Sequence, residues 1–515
     1  MRQTRTERWT LAALPLGFLV LMLLAPALRL IVEGGAQAWE GGGAAGFWAP
    51  WHDAYLRGRL LWSLGQAAVT CGVTLLLGLP MAWVLARWEF AGRRLLLRGL
   101  MLPFVVPTLV AALGVLTLWG NALQGTPWLL LYGNLFFNLC VVVRAGVDGL
   151  GSVSAARVAA ARSLGATPWR AFWRVEWPAL APWMASALCL VFLYCFSGFG
   201  LALVLGGQDY ATAEVEVYTL VAHELQLGQA GVLSVWMLAL TALVAWGYAA
   251  AERRLAGPAR ADRLPRRRPQ GALQWAAVLA MVLVWMLICA APLVAIALGA
   301  IDSGADALNV LTDEDTLLAL YNTARFTFLA LLLASALGLA HALAARHLMW
   351  LRTLVFLPFI VSPVMVAFGL LLLYPQASAS MELLVAAYAL LAYPFVAKSL
   401  AARLDGLPAH YTEAARSLGA GPWRCFFRVT LPLLAPALRR GMAFAAATAV
   451  GEFAVSLFLS RPEWLTLSTL IYQYLGKPGA ANLAAAQLLA CVLMALALLA
   501  FVLIEWPTDE DAPHA

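Results

Sequence analysis

Among the long apolar stretches of this 515-residue chain, one carboxylate stands near mid-span: Glu452, in the run AVGEFAV. An ionised side chain left unpaired in hydrocarbon costs several kcal/mol, so such a residue is a functional candidate by default. The position 254 residues earlier is Gly198, flanked by Ser197 and Phe199. Glu452 with Phe453 and Phe199 nearby suits a cationic substrate, through charge and through attraction to ring faces. Ser197, Phe199, Glu452 and Phe453 are therefore the substrate-path candidates, with Glu452 and Gly198 expected to face each other across a pseudo-two-fold axis. The plainer alternative is that Glu452 ties two helices together.

Other chemistry finds no footing. There is no Ser-His-Asp arrangement, no H-E-x-x-H run and no cluster of carboxylates. A G-x-x-x-x-G-K-[ST] phosphate loop is absent, and Gly476-Lys477-Pro478 does not stand in for one. The seven cysteines include no C-x-x-C pair, and six lie in apolar stretches, so they read as packing residues rather than disulfides or metal ligands. The chain itself is expected to be no enzyme and to bind no cofactor or metal. His341 and His347 flank the end of a span and read as interfacial, His410 as solvated. Tyr393-Pro394 predicts a kink, with Asn138 at the matching place in the first half.

The elements that carry these residues are membrane helices. The chain is 63% hydrophobic and 12% charged, with a mean hydropathy of +0.81. Soluble domains hold about 45–50% apolar and about 25% charged residues, and cannot bury such an excess. Twelve stretches reach the roughly 20 apolar residues needed to cross a bilayer. They centre near Val20, Val73, Leu109, Leu135, Val191, Leu238, Met281, Leu333, Met365, Leu390, Ala446 and Leu493. The fold class is an all-α polytopic membrane protein. The first apolar run is about twice a signal-peptide core and is read as a retained span.

A net charge of +7 raises the question of a nucleic-acid partner. The positive-inside bias of membrane proteins accounts for it better, and no soluble segment is large enough to hold a nucleic-acid fold. With the N-terminus placed in the cytoplasm, 26 of the 34 Lys and Arg fall on the cytoplasmic side, and an even span count puts the C-terminus there too. The loop from Ala251 to Gln270 carries seven Arg and divides the chain. It reads as a flexible connector, with anionic lipid as a second contact. The expected organisation is a six-span half (1–250), an Arg-rich linker (251–272) and a second six-span half (273–515).

Each half holds one copy of a short polar device. AAARSLGATPWRAFWRVEWP (Ala159–Pro178) and EAARSLGAGPWRCFFRVTLP (Glu413–Pro432) agree at 14 of 20 positions. Each copy predicts two short helices joined at Gly165 or Gly419, where a left-handed helix terminus favours glycine. Thr167-Pro168 offers an N-cap and a proline at the first helical position, and Gly421-Pro422 a weaker version. The second helix is amphipathic, with Trp169, Phe172 and Trp173 or Trp423, Phe426 and Phe427 on one face and arginines on another. Such a helix is expected to lie at the membrane surface and to end at Pro178 or Pro432. Ala160-Ala161 and Ala414-Ala415 expose small side chains that permit close docking. Six spans separate the copies, so both face the same side, and the halves are parallel repeats.

The run Glu413-Ala414-Ala415, followed by Gly419, an aromatic residue and a proline, resembles the coupling loop of permease subunits of bacterial ABC importers. The first copy departs from it, with Ala159 in place of the glutamate. The resemblance implies a type I importer permease fold in the inner membrane. It also implies that loops 155–178 and 409–432 insert into grooves on two cytoplasmic ATPase subunits through Ala160, Ala161, Gly165, Glu413, Ala414, Ala415 and Gly419. ATP and Mg would sit on those subunits, and a periplasmic binding protein would deliver a small-molecule substrate. The twelve-span fused layout resembles thiamine and ferric-iron importer permeases. RVEWPAL, LYCFSGFGLALVLGG and ATAEVEVY (Ala211–Tyr218) tilt it to the thiamine branch, where Glu452 would suit a thiazolium cation. Ferric iron is the alternative cargo, although bare iron favours oxygen-rich ligands along a path. An ion-driven secondary transporter is the alternative machine.

Overall fold

A computed structural model describes residues 5–255, 265–302, 308–348, 350–355, 357–378, 380–408, 410–459 and 461–505. The centre of the Arg-rich connector and the acidic C-terminal tail lie outside the described residues. Every named element is helical, and the described residues hold one isolated β-bridge, Trp88 to Arg267, where the connector rejoins the chain.

Nine helices among the described residues are long and apolar enough to cross a membrane. Each of the twelve expected spans nevertheless falls on a helix. The third is a bent pair, Arg93–Val105 and Thr108–Leu123, which meet at 104° around Pro107. The ninth is the short Pro363–Leu373, which starts at Ser362-Pro363. The eleventh, Leu431–Val450, carries Arg439 and Arg440 within its 20 residues. Pro107 and Pro363 interrupt corresponding spans of the two halves, because a proline cannot donate within a helix and biases the residue before it away from helical backbone.

The chain forms two compact units, and the first span of each half is exchanged between them. One unit comprises Met1–Val32, Val105–Val110 and Ser303–Ala515; the other comprises Glu33–Phe104 and Ala111–Asp302. In the first unit, Phe18 meets Tyr393 edge-on at 6.4 Å, and the Tyr374 hydroxyl donates to the Leu21 carbonyl at 3.1 Å. Ala12 is buried with Ala344, Ala345 and Leu351. In the second unit, Val278, Met281, Ile288 and Cys289 of the Ala272–Asp302 helix enter a core with Leu85, Leu139 and Val143.

Both units share one tight helix crossing. A Cβ added at Gly78 would lie 2.8 Å from Val142, and one added at Gly338 would lie 2.8 Å from Val396. Small residues of this kind let membrane helices approach until their backbones nearly touch.

Four π-turns mark the spans among the described residues: Val20–Leu24, Phe172–Glu176, Met286–Ala290 and Phe426–Thr430. Each is followed two residues later by a proline: Pro26, Pro178, Pro292 and Pro432. A proline lacks the donor for its i−4 carbonyl, and its ring collides with that carbonyl. Widening the preceding turn to i→i−5 bonding, as from Trp177 N–H to the Phe172 carbonyl, moves the obstacle aside. The expectation that Pro178 and Pro432 end their helices is thus corrected. Pro168–Phe196 runs through as one helix, and Pro422–Cys425, Phe426–Thr430 and Leu431–Val450 follow one another without a gap. Pro394 likewise sits inside the continuous Met381–Asp405 helix.

Candidate functional site

Two places in each unit combine polar chemistry with interrupted helix: the duplicated turn and a break further along the same helix. The turns have one geometry. Helix Ala155–Ser163 ends where Ala166 N–H donates to the Ala161 carbonyl at 3.0 Å and Gly165 N–H to the Arg162 carbonyl at 2.9 Å. Helix His410–Ser417 ends with Ala420 to Ala415 at 3.0 Å and Gly419 to Arg416 at 2.9 Å. This is the paired bonding of a Schellman terminus, with the glycine left-handed at φ +81° in both copies.

The next helix starts differently in the two copies. Thr167 Oγ1 accepts from Arg170 N–H at 3.3 Å, whereas Gly421 has no side chain to cap with. Ala159, Ala160, Glu413 and Ala414 are exposed, and Ala161 and Ala415 half-buried. Trp169 and Trp423 are 70% and 75% exposed, and Trp169 leads a ladder of rings through Trp173 to Trp177, spaced 5.5 and 5.3 Å.

Sequence reasoning missed the most exposed apolar side chains of the turns. Leu164 and Leu418, the last residues before the left-handed glycines, are 89% and 88% exposed. The signal was present in the spacing, since the residue just before a left-handed glycine at a helix end tops the turn. It also missed Glu176, which is buried and ion-paired to Arg87 at 2.6 Å. The corresponding residue of the second copy is Thr430, also buried.

Further along, the helices break at Ser197–Phe199 and at Gly451–Phe453. Ser197 returns its hydroxyl to the Leu193 carbonyl at 2.6 Å. Phe199 is buried with its ring 5.4 Å from Tyr218, and Phe453 is buried 5.3 Å from Tyr472, so the rings of these candidates are committed to packing in the same way. Glu452 is half-buried, and its Oε1 accepts from Val455 N–H at 3.1 Å, at the start of helix Ala454–Leu459. Ser456 Oγ donates to the Glu452 carbonyl at 3.1 Å, and the Tyr388 and Ser456 hydroxyls bond one another. Glu452 therefore does tie a helix start in place. The candidates fall into separate units, Ser197 and Phe199 in one, Glu452 and Phe453 in the other.

The first half builds a different node behind its break. Gln66 Nε2 donates to the Cys195 carbonyl at 2.7 Å, Asn134 Nδ2 donates to Gln66 Oε1 at 2.7 Å, and Asn138 Nδ2 reaches Cys195 Sγ at 3.3 Å. All four residues are buried. The stretch ATAEVEVY forms the helix Ala213–Ala222, with Glu214 and Glu216 buried. Tyr55 donates to Glu216 Oε2 at 2.9 Å, and Arg59 lies 3.6 Å from the same oxygen. Burial pushes the Glu216 carboxyl above its ordinary range, against the opposing effects of the Tyr55 hydrogen bond and the Arg59 charge. His341, near the end of its span, is buried within the protein and donates through Nε2 to the Leu351 carbonyl at 2.9 Å. His347 is exposed.

The profile of the family described as "binding-protein-dependent transport system inner membrane component" matches residues 75–257 and 337–506. Each match holds one turn and one break. The chain is 26% identical to the thiamine transport system permease protein ThiP of Haemophilus influenzae, over 83% of this chain and 85% of that protein. It is 25% identical to ThiP of Salmonella typhimurium, over 89% and 91%. The sulfate transport system permease protein CysW of a Synechocystis strain is 28% identical over 40% of this chain and 78% of its own length. With two matches that together cover more than half its length, the chain belongs to the family of inner membrane components of binding-protein-dependent transport systems.

Proposed function

We propose that this chain is the permease of an ATP-driven importer that carries thiamine or its phosphate esters from periplasm to cytoplasm by alternating access. The observation that carries the cargo is the similarity to thiamine permeases along more than four-fifths of both chains. In this reading both termini are cytoplasmic and so are the two turns. Two copies of a separate ATPase subunit bind ATP and Mg and grip one turn each. Their closure pulls the turns together, and a periplasmic binding protein loads the outer face.

The architecture supports mechanical coupling. Each turn continues through its π-turn into a span without a break, so a push on the turn is passed along one continuous helix. That helix ends at the break carrying Ser197 and Phe199, or Glu452 and Phe453. The break is where irregular backbone is tolerated at membrane depth if it faces protein or a water-filled cavity. Glu452 supplies negative charge for the thiazolium ring there, while its helix-start bond keeps the carboxylate in place.

The test is to purify the chain from its native membrane, identify the ATPase and periplasmic protein that accompany it, and titrate that periplasmic protein with thiamine, thiamine phosphates and ferric iron. Tight thiamine binding is the expected result. Selective iron binding would overturn the cargo, and absence of an ATPase after mild crosslinking would overturn the machine.

A further inference from the structure

We propose that Leu164 and Leu418 are equivalent apolar anchors of the two turns, each seated in a pocket of its ATPase partner, and that Glu413 adds a charge contact at the second seat alone. This rests on the coupling role proposed above and says what makes the two seats alike and unlike. Sequence and geometry agree on the shared part. Leu164 and Leu418 sit one residue before glycines of identical φ, and almost the whole of each side chain faces outward. A leucine so exposed at one of two matched positions is unremarkable, since single surface apolar residues are common. Two at the same step of a duplicated turn, beside the exposed Trp169 and Trp423, indicate a surface that is covered in the working assembly.

Charge indicates what covers it. Arg162, Arg170 and Arg174 are exposed on the first turn, as are Arg416, Arg424 and Arg428 at corresponding positions of the second. The occupant is therefore a protein pocket that is apolar at its base and acidic at its rim. The turns differ at five exposed positions: Ala156, Arg157, Ala159, Thr167 and Trp173 stand in the first where His410, Tyr411, Glu413, Gly421 and Phe427 stand in the second, and Glu413 is the one carboxylate among them. If one kind of subunit occupies both seats, a basic group placed to meet Glu413 finds no carboxylate at the first seat. The apolar contact is then common to both seats and insensitive to salt. The charge contact belongs to the second and fades as salt screens it.

The experiment uses the full chain in nanodiscs, titrated with the ATPase subunit that co-purifies with it, at about 0.05 M and about 0.5 M NaCl. Leu164→Asn and Leu418→Asn should each weaken one of the two binding events about tenfold at both salt concentrations, the size of a buried anchor's loss. Glu413→Ala should weaken one event several-fold at low salt and have no effect at high salt, and Ala159→Glu should strengthen the other event at low salt. Unchanged melting of each variant without the ATPase shows that folding is intact. If the wild-type chain binds the subunit and both leucine variants bind it equally well, this inference falls while the coupling role stands. If the wild-type chain binds no ATPase, both fall. A polarity-sensitive dye on Leu164→Cys separates a protein pocket from the lipid surface. A blue shift only after the ATPase is added supports the proposal, and one already present in nanodiscs alone overturns it.

Discussion

The two halves hold their turns alike and their breaks differently. At the turns, the hydrogen bonds, the left-handed glycine, the exposed leucine and the following π-turn recur almost atom for atom. At the breaks, the backbone interruption and the Phe–Tyr ring pair recur, but the polar chemistry does not. The first half gathers Gln66, Asn134 and Asn138 around Cys195, all uncharged. The second has Glu452, Ser456 and Tyr388. The contrast separates two demands. In the proposed importer, gripping two copies of one partner would reward sameness, whereas handling one asymmetric molecule would leave the halves free to divide the work.

The strongest challenge to this division lies beside the first turn. Glu176→Leu leaves Arg87 without its buried partner and should cost about 3–5 kcal/mol, visible as a large drop in melting temperature. Thr430→Val, at the matching position, should cost about 1 kcal/mol or less. Equal losses would mean the ion pair does not brace the first turn.

Next in size are the turn glycines. A Cβ at Gly165 or Gly419 meets nothing within 4 Å, so any penalty comes from the backbone. Gly165→Val and Gly419→Val should each cost roughly 1–3 kcal/mol locally and lower transport into proteoliposomes at least tenfold. Closely matched losses would sharpen the claim of equivalent turns, and a tolerated substitution at either would break it.

The breaks give a graded test. Glu452→Ala removes the acceptor of the Val455 N–H and should destabilise the protein by about 1–2 kcal/mol. Glu452→Gln keeps an acceptor and should melt nearly as the wild type does. Its transport rate then isolates the charge: a loss with stability retained assigns Glu452 to the cation path, and full activity leaves it only its helix-start role. The smallest effect is expected at the other node, where Asn134→Leu should lower stability by roughly 0.6–2 kcal/mol, in the range of hydrogen bonds between membrane helices.

Much of this was legible in one dimension because the determinants are local. A left-handed terminus needs glycine, an N-cap needs a hydroxyl such as that of Thr167, and about 20 apolar residues make a span. Pro178 and Pro432 were read as stops because proline removes a helical donor. Whether the preceding turn widens to absorb that loss depends on the packing of the rest of the helix. Leu164 and Leu418 are marked in the sequence only by their place just before Gly165 and Gly419, and the structure shows how far they stand out.

By itself the sequence determined the membrane class, the duplication, that each long apolar stretch is helical and the form of the turns, since each follows from composition or from the backbone preferences of a few adjacent residues. The tertiary structure alone decided that the first span of each half packs within the other's unit, that Gln66 and Asn138 share one node, and that Glu452 holds a helix start. Those outcomes rest on contacts between residues far apart in the chain, where shape and hydrogen-bond geometry choose among partners that local propensity cannot rank.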